Sequence, residues 1–341
     1  MRELPSPVVV PHCKPGVWPD GIPPGRFASH VHKTMPTGCR VAMIGLPDDT
    51  GVRLNHGRPG AALGPGAFRA ALARYGVASP QGWDWPRVLD AGEVEPAPGH
   101  TEGAMHETHR RVTEAARALL DAGLFPIAIG GGHDLTFPFV RAVSDSVRTK
   151  DAGASLAGVY FDAHLDVRET AGSGMPFRRL IEDCRVSPLL LAGFNPLVNS
   201  REHVDWFLEN GGEIADADWM FDLDHSGDDD TPPLLGPLEG TDNIFCSFDL
   251  DVLDGACAPG VSAVNPAGIS VQDAARAVFL VAGDPRLRCL DFMELCPPHD
   301  DQRPPGEVAG RTARVAAHLF LHALMGLAMG PLSGGAAGGR D

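Results

Sequence analysis

No uninterrupted apolar run in this chain approaches the ~20 residues that a helix needs to cross a bilayer. The N-terminus, MRELPSPVVVPHCKPGVWPDG, is broken by prolines and lacks an apolar, signal-like core. None of the seven cysteines forms a C-x-x-C pair, and the count is odd, which argues against a disulfide framework and for reduced thiols. These absences together give the expectation of a cytoplasmic protein. Positive charge is scarce as well: 28 Lys and Arg face 44 Asp and Glu, a formal net charge of −16. Such a surface repels phosphate backbones and anionic lipid, so neither nucleic acid nor membrane is expected as a partner. No internal repeat is visible.

What is present is an alternation of short apolar runs with amphipathic segments. Residues 40–46, 124–129, 157–161, 188–192, 244–248 and 286–290 read as buried strands. Residues 65–75, 103–122, 136–147, 202–210, 271–282 and 311–325 read as helices, and Gly123 is a natural stop for the second of them. This rhythm predicts a mostly parallel sheet covered by helices on both faces, with function in the loops at the carboxyl ends of the strands. The expected organisation is an N-terminal extension (1–38), a catalytic domain (39–329) and a flexible tail (330–341). Residues 221–242, acidic and rich in Pro and Gly, read as a solvent loop.

Four polar clusters directly follow predicted strands: GGGHD at 130–134, DAHLD at 162–166, DLD at 249–251, and Glu294. In an extended chain the side chains at i, i+2 and i+4 point one way, so Asp162, His164 and Asp166 are expected to converge, as are Asp249 and Asp251. Carboxylates crowded at the ends of buried strands repel one another, and neither motif contains a Lys or Arg to offset them. Divalent cations offset them best. Two His and four Asp are enough for two ions, and oxygen-rich ligation with some imidazole favours Mn²⁺ over Zn²⁺. Two ions ~3.5–4 Å apart supply a hydroxide nucleophile at neutral pH.

Each cluster has a plainer reading. A His-Asp pair at a strand end is more often a turn or a helix cap, and D-x-D alone suits one structural Ca²⁺. D-x-H-x-D after an apolar strand is more specific, and the three together point to a metal site. His100, His106 and His109 with Glu102 and Glu107 suggest a second metal cluster, but on an amphipathic helix they read as a solvated face.

These residues resemble the ureohydrolases (arginase, agmatinase, formimidoylglutamase and relatives). The resemblance spans roughly residues 41–324 and includes DDTGVRLNHGRPGA at 48–61, residues 130–134, 160–168, 247–263 and 291–297. It implies a three-layer α/β/α fold and a binuclear manganese centre. One ion would be held by His133, Asp162, Asp166 and Asp249, the other by His164, Asp162, Asp249 and Asp251, with Asp162 and Asp249 bridging. Glu294 matches the acid that receives a cationic amidine or guanidine. Arginases and agmatinases carry a His in an H-G-x-P motif where this chain has Ser173, and tend to have G-G-D-H-S where it has GGGHD. Formimidoylglutamases look like this chain at both places and share Arg168. Asp254-Gly255 departs from the family, which often has Pro in that turn.

The implied activity is hydrolysis of N-formimidoyl-L-glutamate to L-glutamate and formamide. Asp166, or a water at the metals, is then the proton shuttle and Glu294 the amidine holder. A bidentate guanidinium suits the substrate's carboxylates. Arg168 is the first candidate, with Arg58, Arg53 and Asn55 behind it and Ser173 as a further donor. For Arg53 and Arg58, an ion pair or a loop clamp is an equal expectation. The rivals are an amidinohydrolase of a guanidino acid or agmatine that releases urea, a metal-binding protein without catalysis, and a single-zinc deacetylase, which the carboxylate-rich ligand set disfavours. By resemblance the chain self-associates, as a trimer or hexamer.

Overall fold

The computed structural model describes residues 9–76, 78, 85–215, 233–301, 309–330 and 332. Residues 221–232 of the expected acidic loop, and nearly all of the expected tail, lie outside the described residues.

Among the described residues, nine strands form one sheet: β1 (Cys13–Lys14), β2 (Val41–Leu46), β3 (Val88–Val94), β4 (Phe125–Gly130), β5 (Leu156–Phe161), β6 (Leu189–Ala192), β7 (Gly212–Ile214), β8 (Asn243–Asp249) and β9 (Leu287–Met293). Their order is β1-β3-β2-β4-β9-β8-β5-β6-β7, and only the pairing of β1 with β3 is antiparallel. The α-helices are α1 (Thr50–Leu54), α2 (Gly64–Leu72), α3 (Glu102–Asp121), α4 (Thr136–Lys150), α5 (Pro176–Cys184), α6 (Arg201–Glu209), α7 (Val271–Gly283) and α8 (Arg311–Met329). Each of the six strands expected from apolar runs is found, with ends moved by up to three residues. The six expected helices are found too.

The sheet divides two cores, and alternate side chains of one strand feed each. Val41 and Met43 enter one, with Phe68 of α2, Val278 of α7 and Phe320 of α8. Ala42, Ile44 and Leu46 enter the other, with Val112 of α3, Val140 of α4 and Phe177 of α5. The result is a three-layer α/β/α architecture. Helix α3 begins where the Thr101 hydroxyl accepts the Ala104 N–H and ends before Gly123, whose φ of +75° is the left-handed stop. Helix α8 is long and apolar enough to cross a membrane by length and composition, a feature the reading of apolar runs passed over. Most of that stretch, 61%, is buried in the core instead.

Among the described residues, three strands and two α-helices lie outside the sequence reading: β1, β3, β7, α1 and α5. The described part of the expected N-terminal extension is not detached. Cys13 and Lys14 pair with Val94 and Glu93, and the Trp18 indole donates to Asp90 at 2.6 Å. The four strands that carry the polar clusters, β4, β9, β8 and β5, are contiguous in the middle of the sheet. Sheet order alone therefore brings four separate sequence segments to one carboxyl edge.

Candidate metal centre

Each polar cluster is aimed by the turn that ends its strand. After β4 the backbone passes so close to residue 48 that a Cβ on Gly131 would lie 1.8 Å from the Asp48 carbonyl oxygen, so only glycine fits. The chain then enters a short 3-10 turn, His133–Leu135, which carries His133 into the sheet edge. After β9, Glu294 takes a left-handed φ of +64°, its N–H donates to the Gly131 carbonyl at 2.8 Å, and its Oε1 accepts the His133 N–H at 3.0 Å. This non-glycine left-handed residue is the kind of local strain found at functional sites.

The ends of β5 and β8 share one device. Asp162 Oδ1 accepts the N–H of His164 at 2.6 Å, and Asp249 Oδ1 accepts the N–H of Asp251 at 2.7 Å. In each case the first aspartate caps the residue two further on and leaves Oδ2 for the site. These oxygens lie 3.1 Å (Asp162) and 3.0 Å (Asp249) from His133 Nδ1, and Asp166 Oδ2 lies 3.0 Å from the same nitrogen. His164 Nδ1 is 3.2 Å from Asp162 Oδ1 and 3.3 Å from Asp251 Oδ2.

The convergence is real, but its expected cause is not. Strand β5 stops at Phe161, and Asp166 has φ +47°, so residues 162–166 are a turn and not a continuing strand. The side chains serve two adjoining groups that share Asp162. Asp162, Asp166, His133 and Asp249 form one group able to hold an ion, and Asp162, His164 and Asp251 form another. Asp162 belongs to both, as a bridging ligand must. Asp249, the other bridge implied by the resemblance, belongs only to the first group, with His133, Asp162 and Asp166.

The donor set fits divalent ions. His133 Nδ1 and Asp162 Oδ2 are buried and stand 3.1 Å apart, yet neither has a hydrogen-bond partner, and Asp251 Oδ1 and Glu294 Oε2 are orphaned too. Ligand atoms that face a common point without bonding one another match the donor arrangement of a divalent-ion site. The protonation pattern agrees. Burial pushes Asp249 well above the usual carboxylate range, reinforced by the charges of Asp251 and Asp162. Burial and the Asp162 charge raise Asp251 to about 7. Burial would lower the two histidines, but the Asp249 charge raises His133 well above normal and the Asp251 charge raises His164 to about 12. Bound cations would compete with these protons for the same lone pairs.

The remaining candidates sort differently. Asn55 Oδ1 accepts from Arg168 Nη1 at 2.7 Å, and Asn55 Nδ2 donates to the Ser173 hydroxyl at 3.2 Å, so three expected substrate contacts form one chain. Arg168 and Ser173 lie on the loop between Asp166 and Phe177. The Phe177 N–H closes that loop onto the Asp166 carbonyl, and its ring packs edge-on against His133 at 5.1 Å. Arg58 is spent elsewhere. Its guanidinium donates to the carbonyls of Val261 (2.7 Å) and Ser262 (2.8 Å), a loop clamp and not a free substrate contact. Arg53 pairs with Asp49 at 2.8 Å. His109, expected on a solvated face, is buried and bonds Asp134 at 2.8 Å. His106 is exposed, as that reading required, 3.9 Å from Glu102.

Sequence reasoning missed Ser247 and Asp291, polar residues within the buried strands β8 and β9. His133 Nε2 lies 3.1 Å from the Ser247 hydroxyl, which donates to Asp291 Oδ1 at 2.6 Å. A polar residue inside an otherwise apolar buried strand was the available signal.

Comparisons with known proteins point to one family. The arginase family profile matches residues 39–326. A formimidoylglutamase of Nocardia farcinica is 32% identical over 84% of this chain and 85% of its own length. One from Aromatoleum aromaticum is 34% identical over 82% and 81%. Among solved structures, Trypanosoma cruzi formiminoglutamase with Mn²⁺ superposes with a TM-score of 0.74 at 28% identity, over 90% of this chain and 99% of that one.

Proposed function

This chain belongs to the arginase family and is a hydrolase of amidine C–N bonds, and we propose that its substrate is N-formimidoyl-L-glutamate, cleaved to L-glutamate and formamide with two Mn²⁺ ions in the His–Asp centre. His133, Asp162, Asp166 and Asp249 would hold one ion, and Asp162, His164 and Asp251 the other. When bound, such a pair supplies Lewis acidity and a nucleophile derived from water.

The chain's own residues do the rest. Glu294 offers a buried carboxylate oxygen without a partner, placed to accept from the formimidoyl N–H groups and orient the carbon for attack. Asp166, the member of the His133 group whose side chain is partly open to solvent (15%), would carry a proton to the departing glutamate nitrogen. Water adds to the formimidoyl carbon, the bond from that carbon to the glutamate nitrogen breaks, and the nitrogen leaves with the transferred proton. Arg168, steadied by Asn55, donates to a substrate carboxylate.

The observation that carries this substrate choice is the Arg168–Asn55–Ser173 chain on the loop after Asp166. A guanidinium there suits an anionic tail and disfavours a cationic one such as agmatine's. The same group would also suit a guanidino acid, which is the second reading. Mn²⁺-loaded protein assayed on formimidoylglutamate, arginine, agmatine and guanidinobutyrate separates them. Formamide from the first alone supports the proposal. Urea from any of the others, without formamide from the first, rejects it. Two bound ions with no turnover on any amidine would favour a metal-binding protein without catalysis.

A further inference from the structure

We propose that Ser247 and Asp291 form a buried positioning relay that locks His133 with Nδ1 bare toward the metal centre; this rests on the two-ion reading above. Folding alone disfavours the placement of these two residues. Strands β8 and β9 are neighbours at the middle of the sheet, and Ser247 and Asp291 are direct register partners in them. Both side chains are fully buried. A carboxylate within a sheet's core is expensive to desolvate and is tolerated where hydrogen bonds hold it. Asp291 nevertheless keeps one oxygen, Oδ2, without any partner. An apolar residue of similar volume at 291 would spare the fold that desolvation.

The hydrogen-bond directions follow from counting protons. A serine hydroxyl has one proton and two lone pairs. The shortest of its contacts, 2.6 Å, runs to Asp291 Oδ1, and a carboxylate only accepts, so the Ser247 proton goes there. The other contacts of the Ser247 oxygen are then acceptances, from Thr136 Oγ1 at 3.2 Å and from His133 Nε2 at 3.1 Å. A proton fixed on Nε2 leaves Nδ1 as a bare lone pair in neutral His133. Nδ1 is the atom 3.0–3.1 Å from the Oδ2 atoms of Asp162, Asp166 and Asp249. The relay therefore selects the tautomer that can bind a metal, and with Phe177 packed edge-on it fixes the ring's plane.

Asp291 is not a ligand itself. It lies three residues before Glu294, inside β9, and reaches His133 only through Ser247. Only the His133 group depends on the relay, because His164 makes none of these contacts.

The test is calorimetric titration of the chelator-stripped protein with Mn²⁺, on wild type, S247A and D291N, with the melting temperature of each metal-free form recorded alongside. Losing the hydrogen bond that orients a metal-binding histidine weakens metal binding by about 10- to 100-fold. S247A should lose that much affinity for one of its two ions and keep the other near wild type. D291N, whose amide oxygen can still accept from Ser247, should lose less, several-fold, again for one ion. A purely structural role would lower the metal-free melting temperature and weaken both ions alike, or neither, and either result overturns the relay. If S247A does not fold, D291N decides alone, and unchanged affinity for both ions rejects the proposal. If wild type itself binds no Mn²⁺, the two-ion reading fails instead, and that failure is recognisable before any variant is compared.

Discussion

Two of the buried charge clusters among the described residues are built on opposite principles. Around Arg69 the charges are closed. Its guanidinium donates to Asp90 at 2.9 and 3.0 Å, to Glu93 at 2.7 Å and to the Gly92 carbonyl at 3.0 Å, while Trp18 donates to Asp90. None of the side-chain atoms of Arg69, Asp90 or Glu93 is orphaned. Around His133 the charges stay open: four aspartates and a glutamate share two histidines, and several donor atoms face each other without bonding. A network that satisfies itself holds the fold together and asks nothing of solution. A network that cannot satisfy itself is a receptor for the missing charge. Burial alone does not separate structure from function here; the balance of charges and the count of unpartnered polar atoms does.

The largest expected break in this contrast comes from the shared ligand. D162A removes the one residue common to both ion groups, so it should bind neither ion tightly and lose ~10³-fold or more in kcat/KM, upwards of about 4 kcal/mol of transition-state stabilisation. Its metal-free fold should survive, which circular dichroism checks. Retained turnover above a tenth of wild type would refute the sharing.

Opening the closed network should do the reverse. R69M strands two buried carboxylates and should destabilise the fold by about 3–5 kcal/mol, read from denaturant melts. Mn²⁺ stoichiometry of the folded fraction should be unchanged. A loss under 1 kcal/mol would mean that the network is decorative.

The open cluster should also answer to pH. Asp251 is raised to about 7, so the metal-free fold loses stability as pH rises from about 4 to about 7, while the unfolded chain has already released that proton. His164, raised to about 12, contributes stability fully present below its ordinary value near 6.5 and lost as pH climbs toward 12. Both signs agree: the metal-free protein weakens with rising pH. Ions bind the deprotonated ligands, so the melting-temperature gap between loaded and stripped protein should widen from pH 6 to pH 8. A gap that narrows would contradict the account.

The mildest effect is expected at the rim. R168A should raise KM for formimidoylglutamate about 10- to 100-fold with a smaller change in kcat, the loss of one charge-assisted hydrogen bond. An unchanged KM would remove Arg168 from substrate binding.

The same contrast explains what could be read in the sequence and what could not. The open cluster was legible because its residues follow apolar strands immediately and repeat in D-x-H-x-D and D-x-D patterns. Their convergence was foreseen from strand alternation, although turns capped by Asp162 and Asp249 produce it. The closed cluster was illegible. Asp90, Gly92 and Glu93 make β3 look like a loop, because a sequence does not display the buried Arg69 that pairs with them. Ser247 was passed over inside a strand read as apolar, and Asp291 lies just past the end assigned to its strand. His109 was read by helix position as solvated, and only the tertiary contact with Asp134 explains its burial. Periodicity reports which face a residue lies on; it does not report the partner waiting there from another segment.

The measurement that bears most directly on this contrast is anomalous diffraction from crystals of the Mn²⁺-loaded protein. The account predicts two peaks per chain, one among His133, Asp162, Asp166 and Asp249 and one among Asp162, His164 and Asp251, with none beside Arg69. A well-ordered map with no peak at these aspartates, or with the ions bound elsewhere, would contradict it.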